Sequence, residues 1–212
     1  MSIIVINPNS NDAVTEGLRA SLSAFPDVVC LTLSEGPFGI ESQRDSDSVI
    51  VPMLALMKQR QDASAFVIAC YSDPGIDAAK EMSPVPVFGI QEAGTAMAMC
   101  RTDTFGVIAI GQPSILRHRK YMRRLGVLDR LAGERALNMS VDDTARGANT
   151  FERMVEVGRE LIDKDGAESL ILGCAGMAQH RANLEKALGV PVIDPTQAAV
   201  AMAHGTILAS SL

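Results

Sequence analysis

The chain has 212 residues, 47% of them hydrophobic and 21% charged, with a formal net charge of −6. Such a composition builds a core, as one domain of ordinary size or two compact ones of about 100 residues, and excludes a disordered tail. The acidic balance and the shortage of aromatics (no Trp, two Tyr, six Phe) argue against a general binder of nucleic acid or anionic membrane.

In chain order, short apolar runs alternate with longer helical stretches. Residues 3–6, 28–33, 65–69 and 85–88 predict strands; the stretches 11–24, 45–60, 75–82 and 91–101 between and after them predict helices. The alternation then restarts with a strand at 105–110 and helices at 114–124 and 148–164. It ends with a strand at 169–172, a helix near 178–187, a strand at 190–193 and a closing helix from about 196. Continuous apolar strands between helices predict parallel sheets covered on both faces, an α/β fold. No long Pro/Gly/Ser linker interrupts the chain, so any two lobes are closely coupled.

The halves resemble each other. Ile4-Val5-Ile6-Asn7-Pro8-Asn9-Ser10 lines up with Ile108-Ala109-Ile110-Gly111-Gln112-Pro113-Ser114 at an offset of 104. At the same offset Phe66-Val67-Ile68-Ala69-Cys70 falls on Leu170-Ile171-Leu172-Gly173-Cys174, and one residue out of phase Val85-Pro86-Val87 matches Val190-Pro191-Val192. Apolar strands use few residue types, so two unrelated halves are the alternative. Three matches in order favour duplication of an α/β unit.

The four cysteines, at 30, 70, 100 and 174, form no CxxC pair and have no His at metal-ligand spacing. Neither a disulfide framework nor a zinc site is expected, and no metal or cofactor is needed. The start, Met-Ser-Ile-Ile-Val-Ile-Asn-Pro, has no basic region and too short an apolar run for a signal peptide. No apolar stretch approaches the roughly 18 residues of a membrane span, so the cytoplasm is the expected compartment.

Ligands of parallel sheets bind beyond the carboxyl ends of the strands. Cys70 and Cys174 both stand there, after an apolar run and before a turn, whereas Cys30 and Cys100 read as core. Asp73 is an N-cap candidate with Pro74 at the first helical position, and Ala175-Gly176-Met177 is a small-residue loop that lets backbone N–H groups approach a ligand. Two lobes facing each other about a pseudo-two-fold axis would present one thiol to each face of a small molecule. One thiolate and one thiol then serve as base and acid, and the carbanion between them needs donors at the developing oxyanion. Asn7, Asn9 and Ser10 after the first strand, and Ser72 beside Cys70, are the candidates.

These residues resemble a known family. Asn7-Pro8-Asn9-Ser10, Gly36-Pro37-x-x-Ile40-Glu41, Cys70-Tyr71-Ser72-Asp73-Pro74-Gly75, Val87-x-Gly89-Ile90-x-Glu92-Ala93 and Gly173-Cys174-Ala175-Gly176-Met177 are similar to the hydantoin racemase branch of the aspartate/glutamate racemase superfamily. The resemblance implies two similar α/β lobes with the active site between them. The first would comprise residues 1–98 with a returning helix at 199–212, and the second residues 99–198. It implies cofactor-independent inversion of the ring carbon of a 5-substituted hydantoin or a related cyclic ureide such as allantoin. Cys70 and Cys174 would be the acid and base, with Asn7, Asn9, Ser10, Ser72, Asp73, Gly176 and Met177 holding the substrate. An amino-acid racemase or a maleate-type isomerase of the same superfamily is the alternative enzyme, and a two-lobed binding protein with structural cysteines the alternative outside catalysis. The Asp-Ser-Gly start of glutamate racemases is absent, which lowers free glutamate as substrate.

Three weaker signals remain. Many members of the branch carry Ser at the place of Gly39 and aromatic or His residues near Gln43 and Arg44. Arg44 is therefore a candidate to recognise an anionic or polar substituent, an exposed loop cation being the other reading. The basic run 117–124 reads as a solvated or subunit-interface helix of a homo-oligomer rather than a nucleic-acid site. His180 has no evident orienting group to make a Cys-His pair with Cys174.

Overall fold

The computed structural model describes residues 2–210; Met1 and positions 211 and 212, the end of the expected return at 199–212, lie outside the described residues. The most apolar runs, β1 (Ser2–Asn7) and β3 (Ala63–Ile68), take the centre of a parallel sheet. β2 (Val28–Thr32) and β4 (Val87–Gly89) flank them in the order β2-β1-β3-β4. Its connections are the helices α1 (Asp12–Ser21), α2 (Gln43–Ser48), α3 (Ile50–Gln59), α4 (Ile76–Met82) and α5 (Ile90–Met99).

The second half repeats this order. β5 (Phe105–Ala109), β6 (Leu131–Ala136), β7 (Ser169–Leu172) and β8 (Val192–Ile193) form a parallel sheet β6-β5-β7-β8. Around it lie α6 (Gln112–Leu125), α7 (Val141–Arg146), α8 (Thr150–Asp163), α9 (Arg181–Leu188) and the closing α10 (Pro195–Ser210). Two sheets with one strand order are what a duplication leaves. The pairing refines the alignment: Ile4 faces Phe66, while Gly106 faces Leu170. With Phe66 and Leu170 equivalent at an offset of 104, β1 and β5 correspond at 102, so the first strands were aligned two residues out of step.

Both faces of β1 are buried, as its unbroken apolar run requires. Ile3 and Val5 join a core that continues to Val107 and Ile171 of the second sheet; Ile4 and Ile6 join an outer cluster with Met53 and Met57 of α3. The shared core is closed by an exchange of helices. α5 packs on β7 and β8, α10 packs on β3 and β4, and the two helices pack on each other. Their approach depends on Gly94, where a Cβ would lie 2.7 Å from the Pro195 side chain.

The structure departs from expectation in four places. The helix predicted at 45–60 is two, divided at Val49, because the Pro52 ring would clash with the Ser48 carbonyl in a continuous helix. The strand β6 and the short helix α7 were not foreseen; Leu-Ala-Gly-Glu-Arg-Ala at a half-buried sheet edge has no apolar run. Cys100 is exposed, since α5 ends before it, while Cys30 is buried as expected. Asp73 does not cap the helix after it. Gly75, with φ of 67°, occupies that place, and the Asp73 carboxylate instead accepts hydrogen bonds from Gln91 N and Glu92 N at the start of α5, each 2.9 Å.

Candidate active site

Cys70 stands two residues beyond β3 and Cys174 two residues beyond β7, so equivalent points of the two sheets deliver one thiol each. Both are half-buried and line a single cleft with Asn9, Ser72, Ser114, Arg117 and His118. Ile40 and Val141 also line it, and their segments are joined across the lobes: Val141 N donates to Glu41 Oε1 at 2.9 Å, and Asn11 Nδ2 donates to Asp142 Oδ1 at 2.9 Å.

The surroundings of the two thiols differ. Burial pushes Cys70 up to about 12, helped by the charges of Cys174 and Asp73, while Arg117 and the Ser72 N–H pull it down. Burial also raises Cys174, opposed by the Gly176 N–H and by the Thr144 hydroxyl, whose Oγ1 is 3.7 Å from the sulfur. Each group therefore rests as a thiol at neutral pH, and a negative charge on one disfavours a second on the other. A pair that ionises one member at a time can act as one base and one acid.

Asn9 is held ready by its neighbours. Its Oδ1 accepts from Asn7 Nδ2 at 3.0 Å and Asn11 N at 2.9 Å, which leaves its own Nδ2 without a protein acceptor among the described residues. Asn7 is fully buried, and its amide also donates to Asn11 O and Thr15 Oγ1, so it supports Asn9 from behind. Ser10 lies outside the cleft lining and donates its backbone N–H to Pro37 O. Ser72 lines the cleft in the turn that donates its N–H to Cys70 O. Gly176 lies beneath Cys174, where a Cβ would come within 2.9 Å of Thr144 Oγ1, and Met177 is buried in the core.

The oxygens of Asp73 cap α5, and burial raises its carboxyl to about 7 against those two N–H donors. The second half reaches the same end differently: Asp194 caps α10 from its own backbone position, with Thr196 N donating to it at 2.8 Å. In the first half that position is Gly89, where a Cβ would fall 2.2 Å from the Asp73 carboxyl carbon.

Sequence reasoning missed the wall supplied by α6. Ser114, Arg117 and His118 are spaced i, i+3 and i+4, one face of a helix, and that spacing was the available signal. His118 Nδ1 lies 2.5 Å from Glu134 Oε1, both side chains being buried, and its ring meets Tyr71 edge-on at 4.9 Å. Arg44 is exposed and His180 packs beside Phe151, both outside the cleft lining. Among the described residues, no three His, Cys, Asp or Glu side chains gather as a ligand set for a metal ion.

The family model described as Asp/Glu/Hydantoin racemase matches residues 3–203. The chain belongs to this family. The hydantoin racemase of Paenarthrobacter aurescens is 34% identical over 98% of this chain and 91% of its own. The solved structure of an allantoin racemase from Klebsiella pneumoniae is 29% identical and superposes with a TM-score of 0.94, covering 99% of this chain and 89% of that one. The allantoin racemase from Pseudomonas fluorescens superposes with a TM-score of 0.92 at 26% identity, over 99% and 92% of the two chains. The family member described here is an isomerase of the racemase class. Among the described residues no helix is long and apolar enough to cross a membrane.

Proposed function

We propose that this racemase inverts the ring stereocentre of a 5-substituted hydantoin or a related cyclic ureide such as allantoin, with Cys70 and Cys174 as its two bases. The observation that carries the reading is one thiol from each lobe, at equivalent strand ends, on one cleft. A thiolate on one side takes the proton from the ring carbon. The electron pair passes into the adjacent ring carbonyl as an enolate, and the thiol on the other side returns a proton to the opposite face. Asn9 Nδ2, the Ser72 hydroxyl and backbone N–H groups of the loops after the cysteines supply donors for the ring oxygens. The cysteines exchange roles with the handedness of the substrate. Working thiols need a reducing compartment, which supports the cytoplasm.

The test is incubation of each hydantoin enantiomer in D₂O, following optical rotation and deuterium at the ring carbon. Inversion with deuterium uptake, lost in both Cys70→Ala and Cys174→Ala, is expected. Full activity in either variant would remove the two-base reading. Exchange without inversion in a single-cysteine variant would assign each thiol to its face.

A further inference from the structure

Beside the cleft lies a groove of about 730 Å³ between α2, α3, the 72–75 turn with the start of α4, and α6; Ser72 and Arg117 line both spaces. A ring held between the thiols is thus offered a path for its substituent past Arg117. We propose that the groove receives this substituent and that Arg117 selects one ending in a carboxylate. The proposal rests on the reading of the cleft as a ring-binding site.

The charges of the groove support an anion. Arg117, Lys120, Arg123 and Arg124 line it against Asp47, Asp73 and Asp77. Arg124 is paired with Asp77 at 2.7 Å, and the Asp73 oxygens are occupied at the start of α5. Asp47 accepts from Gln43, and Asp45, whose charge also reaches Arg117, accepts the backbone N–H groups of Glu41 and Ser42. Arg117, Lys120 and Arg123 have no salt bridge among the described residues.

Arg117 is the one of the three that is set in place. Its Nη1 donates to Glu41 O and Pro113 O, both at 3.2 Å, while its Nε is buried without an acceptor. A half-buried guanidinium held by neutral carbonyls, with an unused N–H, is a receptor for a carboxylate. Ile50 and Ile76 supply apolar surface in the same groove for a methylene stem. Arg44, the cation that the sequence offered for this task, is exposed and lines neither space.

Three hydantoins with isosteric arms test the proposal: 2-carboxyethyl, its primary amide 2-carbamoylethyl, and 3-methylbutyl. The wild type is expected to show a kcat/KM for the carboxylate arm roughly 10- to 100-fold above that for the amide, the worth of a hydrogen bond to a charged group. Arg117→Gln should bring that ratio to about one, and Arg44→Ala should leave it unchanged. Because Arg117 also favours the Cys70 thiolate, Arg117→Gln lowers the rates for all arms alike; only lost recognition of the arm moves the ratio. An unchanged ratio in Arg117→Gln, or a wild type that prefers the 3-methylbutyl arm, would overturn the proposal.

Calorimetry with 5-methyl-5-(2-carboxyethyl)hydantoin, which has no proton on the ring carbon to lose, separates arm recognition from catalysis. Tighter binding than its amide, dependent on Arg117, in an enzyme that racemises none of the three would sink the hydantoin reading of the activity and keep the arm site. The absence of an Arg117-dependent preference for the anion would overturn the arm site whatever the enzyme turns over.

Discussion

The two thiols are alike in position and unlike in surroundings. Cys70 has a guanidinium near it, and Cys174 has a hydroxyl at 3.7 Å and a backbone N–H. Since the two enantiomers of a racemised product are equal in energy, kcat/KM is the same in both directions; the asymmetry therefore shows in kcat and KM taken singly. With Cys70 pushed up to about 12 and Cys174 also raised, the thiolate fraction of the free enzyme grows with pH. We expect kcat/KM to climb by about tenfold per pH unit through the neutral range, without a plateau there. A pH profile that is flat between about pH 6 and 8 would show that the base does not titrate there, against thiols held raised by burial. At this scale the sequence was legible in placement: Cys70, Cys174 and Asn9, each read from its position after a strand, meet in one cleft. It was opaque at Arg117 and His118, because the helical spacing that groups them with Ser114 does not say whether that face meets the cleft or solvent. Asp73 and Cys100 were misread for a related reason: both were judged against the chain next to them, and the partners that decide their roles are distant or missing.

Among the elements, the alternation of apolar strands and helices carried most of the architecture, and the misses share one cause. β6 holds Glu134 inside the fold against His118, so the strand that buries it has no apolar signature. The duplication held the missing information, because β2 displaced by 104 residues falls on 132–136, within Leu131–Ala136. Strand pairing cannot be read from one strand alone, which is how the two-residue slip between β1 and β5 arose. The exchange of α5 and α10 was equally hidden, since small residues in two apolar helices do not say which sheet each will cover. Gly94 now tests that packing. Alanine at this site improves helix propensity by up to about 1 kcal/mol, yet its Cβ would meet Pro195 at 2.7 Å. Gly94→Val adds two methyl groups to the same contact and should lower stability by about 2 kcal/mol, measured as a drop in the denaturant midpoint with an unchanged slope.

The whole molecule is two repeats that share one core, and each gives a helix to the other's sheet. The first half buries one apolar cluster by itself, but the core between the sheets is built from both halves. We expect one cooperative transition by calorimetry, with calorimetric and van't Hoff enthalpies equal, and no folded state for a fragment ending near residue 104. Two separated transitions would show that the lobes are independent. The carboxylate of Asp73 gives this arrangement a mechanical consequence. It fastens the turn after Cys70 to the first residues of α5, a helix seated on the opposite sheet, and Gly89 exists as glycine to let that strut through. The loop that carries Cys70 is thus tied to the start of a helix whose body packs on the other sheet.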